Sequence, residues 1–302
     1  MSQTHFIAPL PVREGVAPSY LWLQKGNWTT LLEFLLQRFP DVDSAIWQER
    51  MERGEVVDDS GRRLDKASPY FWGKRIFYYR ELEQETPIPF QETILFQDQH
   101  LLVVDKPHFL PVIPTGRFLQ QTLLVRLKNK LDVPDLSPIH RLDRETAGVM
   151  IFSVNRNSRG AYQSLFQQRS VIKQYQALAA HLSEYTAPFV YRSRLVNGTP
   201  FFRMQEVPGV ANAETRIEII EQMGAISRYR LTPVTGRKHQ LRVHMAALGV
   251  PIINDAFYPL ALPCKADDVS QPLKLLARSI RFVDPISGQE RYFESGLVLN
   301  SD

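Results

Sequence analysis

Apolar side chains recur at helical spacing from Thr29 to Phe39, at Leu31, Leu32, Phe34, Leu35, Leu36 and Phe39. Thr29 or Thr30 can cap this run and Pro40 cannot extend it, so the pattern predicts a short amphipathic helix. Ser44 to Arg53 predicts a second helix with Gly54 as its stop, and the following EVVDDSG (residues 55–61) reads as a strand entering a tight turn. Past residue 92 the pattern changes. Ile94–Phe96 and Leu101–Val104 are strand-like runs around an Asp-Gln turn, and Pro107 and Pro111 fix the loop that follows. Gln121–Leu131 and Ser158–Gln168 have helical spacing, whereas Val149–Phe152 is an uninterrupted apolar run suited to a buried strand. Ile172–Ala179 also has strand character. Residues 214–220 and 227–231 alternate polar with apolar and predict antiparallel strands with one wet face. The basic run Thr235–His244 opens a helix that Gly249 closes.

These elements mix helices with strands, some of them antiparallel. Residues 1–20, with three prolines and little periodicity, read as an extended arm, 21–90 as a small α/β module, and 91–302 as the main domain. The acidic, proline-containing stretch 81–92 reads as the linker.

A hydrophobic content of 44% with 23% charged residues fits a folded protein and argues against disorder. The single cysteine, Cys264, excludes an internal disulfide framework, and the seven histidines form no metal-ligand pattern. No metal or cofactor is expected. No apolar span is long enough for a bilayer, so a cytoplasmic protein without a membrane partner is expected. The net charge of +4 permits a polyanionic partner without requiring one. Its distribution adds more: residues 1–90 hold 11 Lys and Arg against 13 Asp and Glu, while residues 91–302 hold 25 against 19.

The chemistry concentrates at Ile139–Val154, IHRLDRETAGVMIFSV, where His140, Arg141, Asp143, Arg144 and Glu145 stand directly before the buried-strand run. Isolated charges of this kind are usually solvated, but a cluster against a core strand needs a reason. The segment resembles the HRLDxxTSG signature of the RluA-type pseudouridine synthases, with Ala147 where that family usually has Ser. Three further motifs follow the family in order: VVDKP (residues 103–107), with His108-Phe109 for the usual Ala-Gly; Lys173-x-Tyr175; and TGRKHQLRVH (235–244), followed by GVPIINDAFY (249–258). Near the end, Leu276 stands where the family more often has His. Residues 21–90 are similar in element order to the αL RNA-binding module of the same family, although Glu49, Glu52 and Glu55 make the second helix less basic.

The resemblance implies an α+β domain with a central, mainly antiparallel sheet flanked by helices, and isomerisation of uridine in structured RNA to pseudouridine, with Asp143, Tyr175 and Arg242 catalytic. It implies that Arg242 holds Asp143 ionised and aimed, that Tyr175 lies on the uracil face, and that Arg141 fills the space left by a flipped nucleotide. His140, Leu142, Lys173, Arg237, Lys238, His239 and Gln240 are the further substrate-binding candidates. Ribosomal or transfer RNA is the implied partner, DNA is not, and a monomer is expected. Two other readings compete. The changes at Ala147 and Leu276 and the acidic helix suggest a non-catalytic RNA-binding protein, against which the joint presence of Asp143, Tyr175 and Arg242 speaks. A glycosidase using Asp143 with Glu145 is disfavoured, because two residues in one turn set no defined separation across a sugar.

Overall fold

The computed structural model describes residues 8–82, 84–185, 187–262 and 268–300; Cys264 and the first seven residues of the arm lie outside them. The chain forms two compact units, 1–85 and 86–302.

In the first unit, β1 (Ser19–Trp22), β2 (Val56–Asp58) and β3 (Arg75–Tyr78) form an antiparallel sheet in the order β1-β3-β2. Two helices, α1 (Leu31–Arg38) and α2 (Ser44–Glu52), cover one face. Thr30 and Glu33 form a capping box at the start of α1, which is the local reason it begins there. Alternation sends Leu21, Ile76 and Tyr78 inward to Phe34, Leu35 and Trp47, and sends Tyr20, Trp22, Arg75 and Phe77 to the other face.

The second unit is built on one 11-stranded sheet. Its elements are β4 (Thr93–Gln97), β5 (Leu101–Lys106), α3 (Leu123–Leu131), β6 (Ser137–Pro138), β7 (Ala147–Ser153), α4 (Arg159–Gln167) and β8 (Ile172–Ala180). They are followed by β9 (Phe189–Asn197), β10 (Met204–Val207), β11 (Ala213–Met223), β12 (Ile226–Pro233), α5 (Gln240–Ala247), β13 (Leu275–Val283) and β14 (Glu290–Glu294). The order is β10-β9-β11-β12-β8-β13-β7-β5-β4, with β14 on β13 and β6 on β7. All named pairs are antiparallel except β13 with β7. Strands β5 and β7 are buried on both faces: Leu102, Val104, Met150 and Phe152 pack on α3, and Leu101, Val103, Val149 and Ile151 pack on Tyr162 of α4. That double burial is why Val149–Phe152 is a continuous apolar run. By contrast β12 alternates, burying Tyr229 and Leu231 against Leu241 and Met245 of α5.

Three features differ from the sequence expectation. Helix α5 starts at Gln240, five residues later than expected, because Gln240 folds its side chain back to accept the Arg237 N–H at 3.1 Å and the Thr235 hydroxyl at 2.7 Å. Arg237 and Lys238 therefore belong to a turn, and His239 takes a left-handed conformation, φ 53°. The arm expected over residues 1–20 already contributes Ser19 and Tyr20 to β1. Strands β3, β9, β10, β13 and β14 lacked a recognised pattern, and β13 is the central one. It lies between β8 and β7, where two of the departures from the family pattern, Ala147 and Leu276, are register partners packed with Leu178 and Leu299. Both are fully buried, so an apolar pair fills this site.

Candidate active site

The loop 139–146 is pinned from several sides. Lys106, at the end of β5, is fully buried and donates to three carbonyls, Pro107 at 2.9 Å, Leu110 at 2.9 Å and Arg144 at 3.0 Å. Burial lowers its pKa to about 7, opposed by Glu145 and Asp143, yet three acceptors for three N–H donors is the arrangement an ammonium needs. His108 Nδ1 donates to the Glu145 carbonyl at 2.6 Å, and Arg144 Nε to the Phe109 carbonyl at 3.0 Å. His140 Nε2 accepts the Ile151 N–H at 3.1 Å and its ring stacks on Phe166. Leu142 enters the core beneath, and the Asp143 carbonyl accepts the Thr146 N–H, closing the turn. With both flanks fixed, the Asp143 carboxylate is held at the wall of a cleft of about 560 Å³.

Asp143 is the one carboxylate among the residues lining that cleft, against six cations, Arg141, Arg169, Lys173, Arg237, Lys238 and Arg242. Its side chain keeps 21% exposure. Arg242 Nη1 reaches Asp143 Oδ2 at 3.5 Å, and His239 Nε2 lies 3.8 Å from the same oxygen. Yet Arg242 has a closer partner. Its Nε and Nη2 donate to the two oxygens of Asp255 at 2.7 and 2.6 Å, a bidentate pair in which both side chains are buried. Burial works against the charge of Arg242, but Asp255 outweighs it and holds the pKa above its ordinary value. Asp255 also accepts the N–H groups of Phe257 and Tyr258, so its loop is tied to the arginine it orients. The guanidinium lies 4.7 Å from the Phe257 ring centre.

Tyr175 stands on β8, between Leu231 of β12 and Ala277 of β13, with its ring on the cleft wall. Burial, then the charge of Asp143, raises the pKa of its hydroxyl, which stays protonated at neutral pH. Lys173, two residues earlier and on the same wall, is lowered by burial. His239 Nδ1 is 2.9 Å from the Tyr258 hydroxyl, and burial lowers its pKa to about 4, so the ring is neutral. Gln240 spends its amide on the Glu214 carbonyl and Thr215 hydroxyl at 2.9 Å each. Arg141 and Lys238 are exposed, while Arg237 donates to the Asn212 carbonyl at 3.2 Å.

All eleven site residues expected from the sequence thus line this cleft. Among them Asp143, Tyr175, Arg141, Lys173 and Lys238 face it without a strong competing hydrogen bond among the described residues, whereas His140 and Gln240 are engaged with backbone. Asp255, Tyr258 and Arg169 were not singled out from the sequence. The first two lie inside GVPIINDAFY, and only their spacing in that motif signalled them.

The family model for RNA pseudouridylate synthase matches residues 100–247, which include the loop of Asp143, the strand of Tyr175 and the helix of Arg242. The dual-specificity RNA pseudouridine synthase RluA of Haemophilus influenzae is 33% identical over 71% of this chain and 97% of its own length. The mitochondrial tRNA pseudouridine(32) synthase of Saccharomyces cerevisiae is 29% identical over 80% of this chain and 53% of its own. Among solved structures, human RNA pseudouridylate synthase domain containing 4 superposes with a TM-score of 0.54 at 27% identity, covering 68% of this chain and 88% of that one. The chain belongs to the RluA-type RNA pseudouridine synthases.

Proposed function

We propose that this synthase flips a uridine out of folded RNA into the cleft and isomerises it through Asp143. The observation that carries this reading is the lone carboxylate in a cleft ringed by six cations, which suits a polyanion outside and one reactive group within. In the reaction the bond from ribose to the base nitrogen breaks, the uracil rotates, and a carbon–carbon bond forms in its place. The proton lost from that carbon balances the one gained by the freed nitrogen, so no redox partner is needed. Asp143 serves as nucleophile or as the base that begins a glycal-forming elimination. Arg242 neutralises and aims it, and Asp255 positions Arg242. Tyr175 offers its ring to the uracil face, and its protonated hydroxyl can relay a proton. Arg141 fills the stack that the nucleotide leaves, at an unstacking cost of about a few kcal/mol. Lys173, Arg169, Arg237 and Lys238 take phosphates along the rim.

Ribosomal and transfer RNA are both within this reading. Pseudouridine mapping of total RNA, from cells lacking the protein and from cells carrying Asp143→Asn, tests it and finds the target. One or a few positions should lose pseudouridine in both. Survival of every position in the Asp143→Asn cells would remove Asp143 from the chemistry.

A further inference from the structure

Two hydrogen-bond donors converge on one oxygen of Asp143. Arg242 Nη1 lies 3.5 Å from Oδ2 and His239 Nε2 lies 3.8 Å from it, whereas Oδ1 accepts no hydrogen bond from any described residue. Both donors are oriented from one loop, Arg242 by Asp255 and His239 by Tyr258. Tyr258 is buried, and its hydroxyl oxygen accepts the Met204 N–H at 2.8 Å. His239 Nδ1, at 2.9 Å, is the one acceptor among the described residues within reach of the hydroxyl proton. A buried phenol without a partner for its proton is costly, so Tyr258 donates and Nδ1 accepts. In the neutral ring the proton then sits on Nε2, the nitrogen that faces Asp143. The ring is buried, 5.6 Å from the Phe257 ring centre and edge-on to Tyr258 at 5.7 Å. Its backbone carbonyl accepts the Val243 N–H at 3.0 Å, which anchors the left-handed turn to α5.

We propose that His239 is a positioning residue for the isomerisation, donating its Nε2–H to Asp143 Oδ2 so that Oδ1 is the oxygen that meets the substrate. A carboxylate held at Oδ2 by Arg242 alone can swing about that contact, and a second donor fixes its plane. Because the ring is neutral, it orients the carboxylate without a second full positive charge, and Oδ1 keeps its reactivity. At 3.8 Å the two groups are not yet hydrogen-bonded. An approach of about 1 Å joins them, a tightening that catalytic contacts commonly undergo once substrate is bound. This inference rests on the reading that Asp143 is the reacting group.

The test uses the full chain, in excess over total RNA from cells lacking the protein, labelled with tritium on the uracil carbon that becomes bonded to ribose. Isomerisation breaks that carbon–hydrogen bond and releases tritium to water, and Asp143→Asn is the blank. Two variants separate the two ends of the ring. In His239→Asn the amide oxygen takes the place of Nδ1 and keeps Tyr258, but nothing reaches Asp143; in His239→Gln the amide nitrogen takes the place of Nε2 and keeps the donor. His239→Asn should lower the rate at saturating enzyme about tenfold or more, the worth of one hydrogen bond to a charged group, with half-saturation changed less than about twofold. His239→Gln should restore the rate to within about threefold of wild type. Stability should rank the other way, since Asn accepts φ 53° more readily than Gln, so the urea midpoint of His239→Asn should be the higher of the two. A purely structural role would rank the rates as it ranks the midpoints. Nitrogen-15 NMR at neutral pH should show His239 protonated on Nε2 alone. A His239→Asn rate within about threefold of wild type overturns the proposal, as does a His239→Gln rate no higher than that of His239→Asn, or a proton on Nδ1. Wild-type turnover no greater than that of Asp143→Asn would sink the reading of the cleft itself, and this inference with it.

Discussion

Arg242 divides its guanidinium unequally, with two short bonds to Asp255 and a single 3.5 Å contact to Asp143. A substrate-facing carboxylate gripped too tightly would lose nucleophilicity, whereas a remote carboxylate can fix the arginine and leave its outer nitrogen to aim Asp143. Arg242→Lys cannot reproduce the fork and should lower kcat by roughly a hundredfold or more with a smaller change in KM. Asp255→Asn keeps the shape of the pair and removes its charge. It should cost about 3–5 kcal/mol in urea unfolding, because the arginine is left charged and buried, and should lower kcat as well. A variant with normal stability and normal kcat would refute the positioning role. Arg141→Ala should weaken conversion of folded RNA more than of flexible RNA, measured as kcat/KM on the two; equal loss on both would exclude insertion into the stack.

The loop around Asp143 and the strands beneath it were legible as sequence because they are local. A charged hexapeptide, a turn and an apolar run are adjacent in the chain, and each announces the next. The Arg242–Asp255 pair was not legible, since the two residues are 13 apart on a helix and a loop with no shared periodicity. The left-handed His239 was equally hidden, because helical spacing of apolar residues does not show where a side-chain cap interrupts the backbone. Phe109 carries a further lesson. It stands where the family usually has Gly and has φ 65°, a conformation that costs a bulky residue about 1–2 kcal/mol, offset by burying its ring against Phe90. At the β7–β13 junction no such offset exists. Gly148 has φ 109°, and a Cβ there would lie 2.2 Å from the Ala277 carbonyl oxygen. Gly148→Ala should therefore lower stability by roughly 3 kcal/mol or more, whereas Gly249→Ala, at φ 78° with open space around it, should cost about 1 kcal/mol. Urea midpoints of the two variants check the contrast.

At the scale of the molecule, four histidines couple the second unit to pH, His239 and His244 buried and His108 and His140 half-buried. Burial lowers His108, His239 and His244 to about 4 and His140 to about 3, from an ordinary value of 6.5. Unfolding frees each ring to take a proton near its ordinary value, so between 6.5 and about 4 the unfolded chain binds more protons than the folded one. The histidine contribution to stability should accordingly be level above about pH 7 and fall as pH drops through that window. A urea midpoint at pH 5 equal to that at pH 7.5 would contradict it. His244→Gln, whose ring nitrogens face the Ser193 and Thr215 hydroxyls, should flatten part of the slope.

The position of β13 has a consequence for how the protein is made. Strands β7, which follows the Asp143 loop, and β8, on the cleft wall, leave the ribosome well before the strand that joins them, which begins at Leu275. At about 5–20 residues per second, synthesis leaves the two halves of the sheet unjoined for roughly 5–20 s, each presenting an unpaired backbone edge. Until β13 emerges those edges can pair wrongly, so the joined sheet should form only after Leu275–Val283 is made.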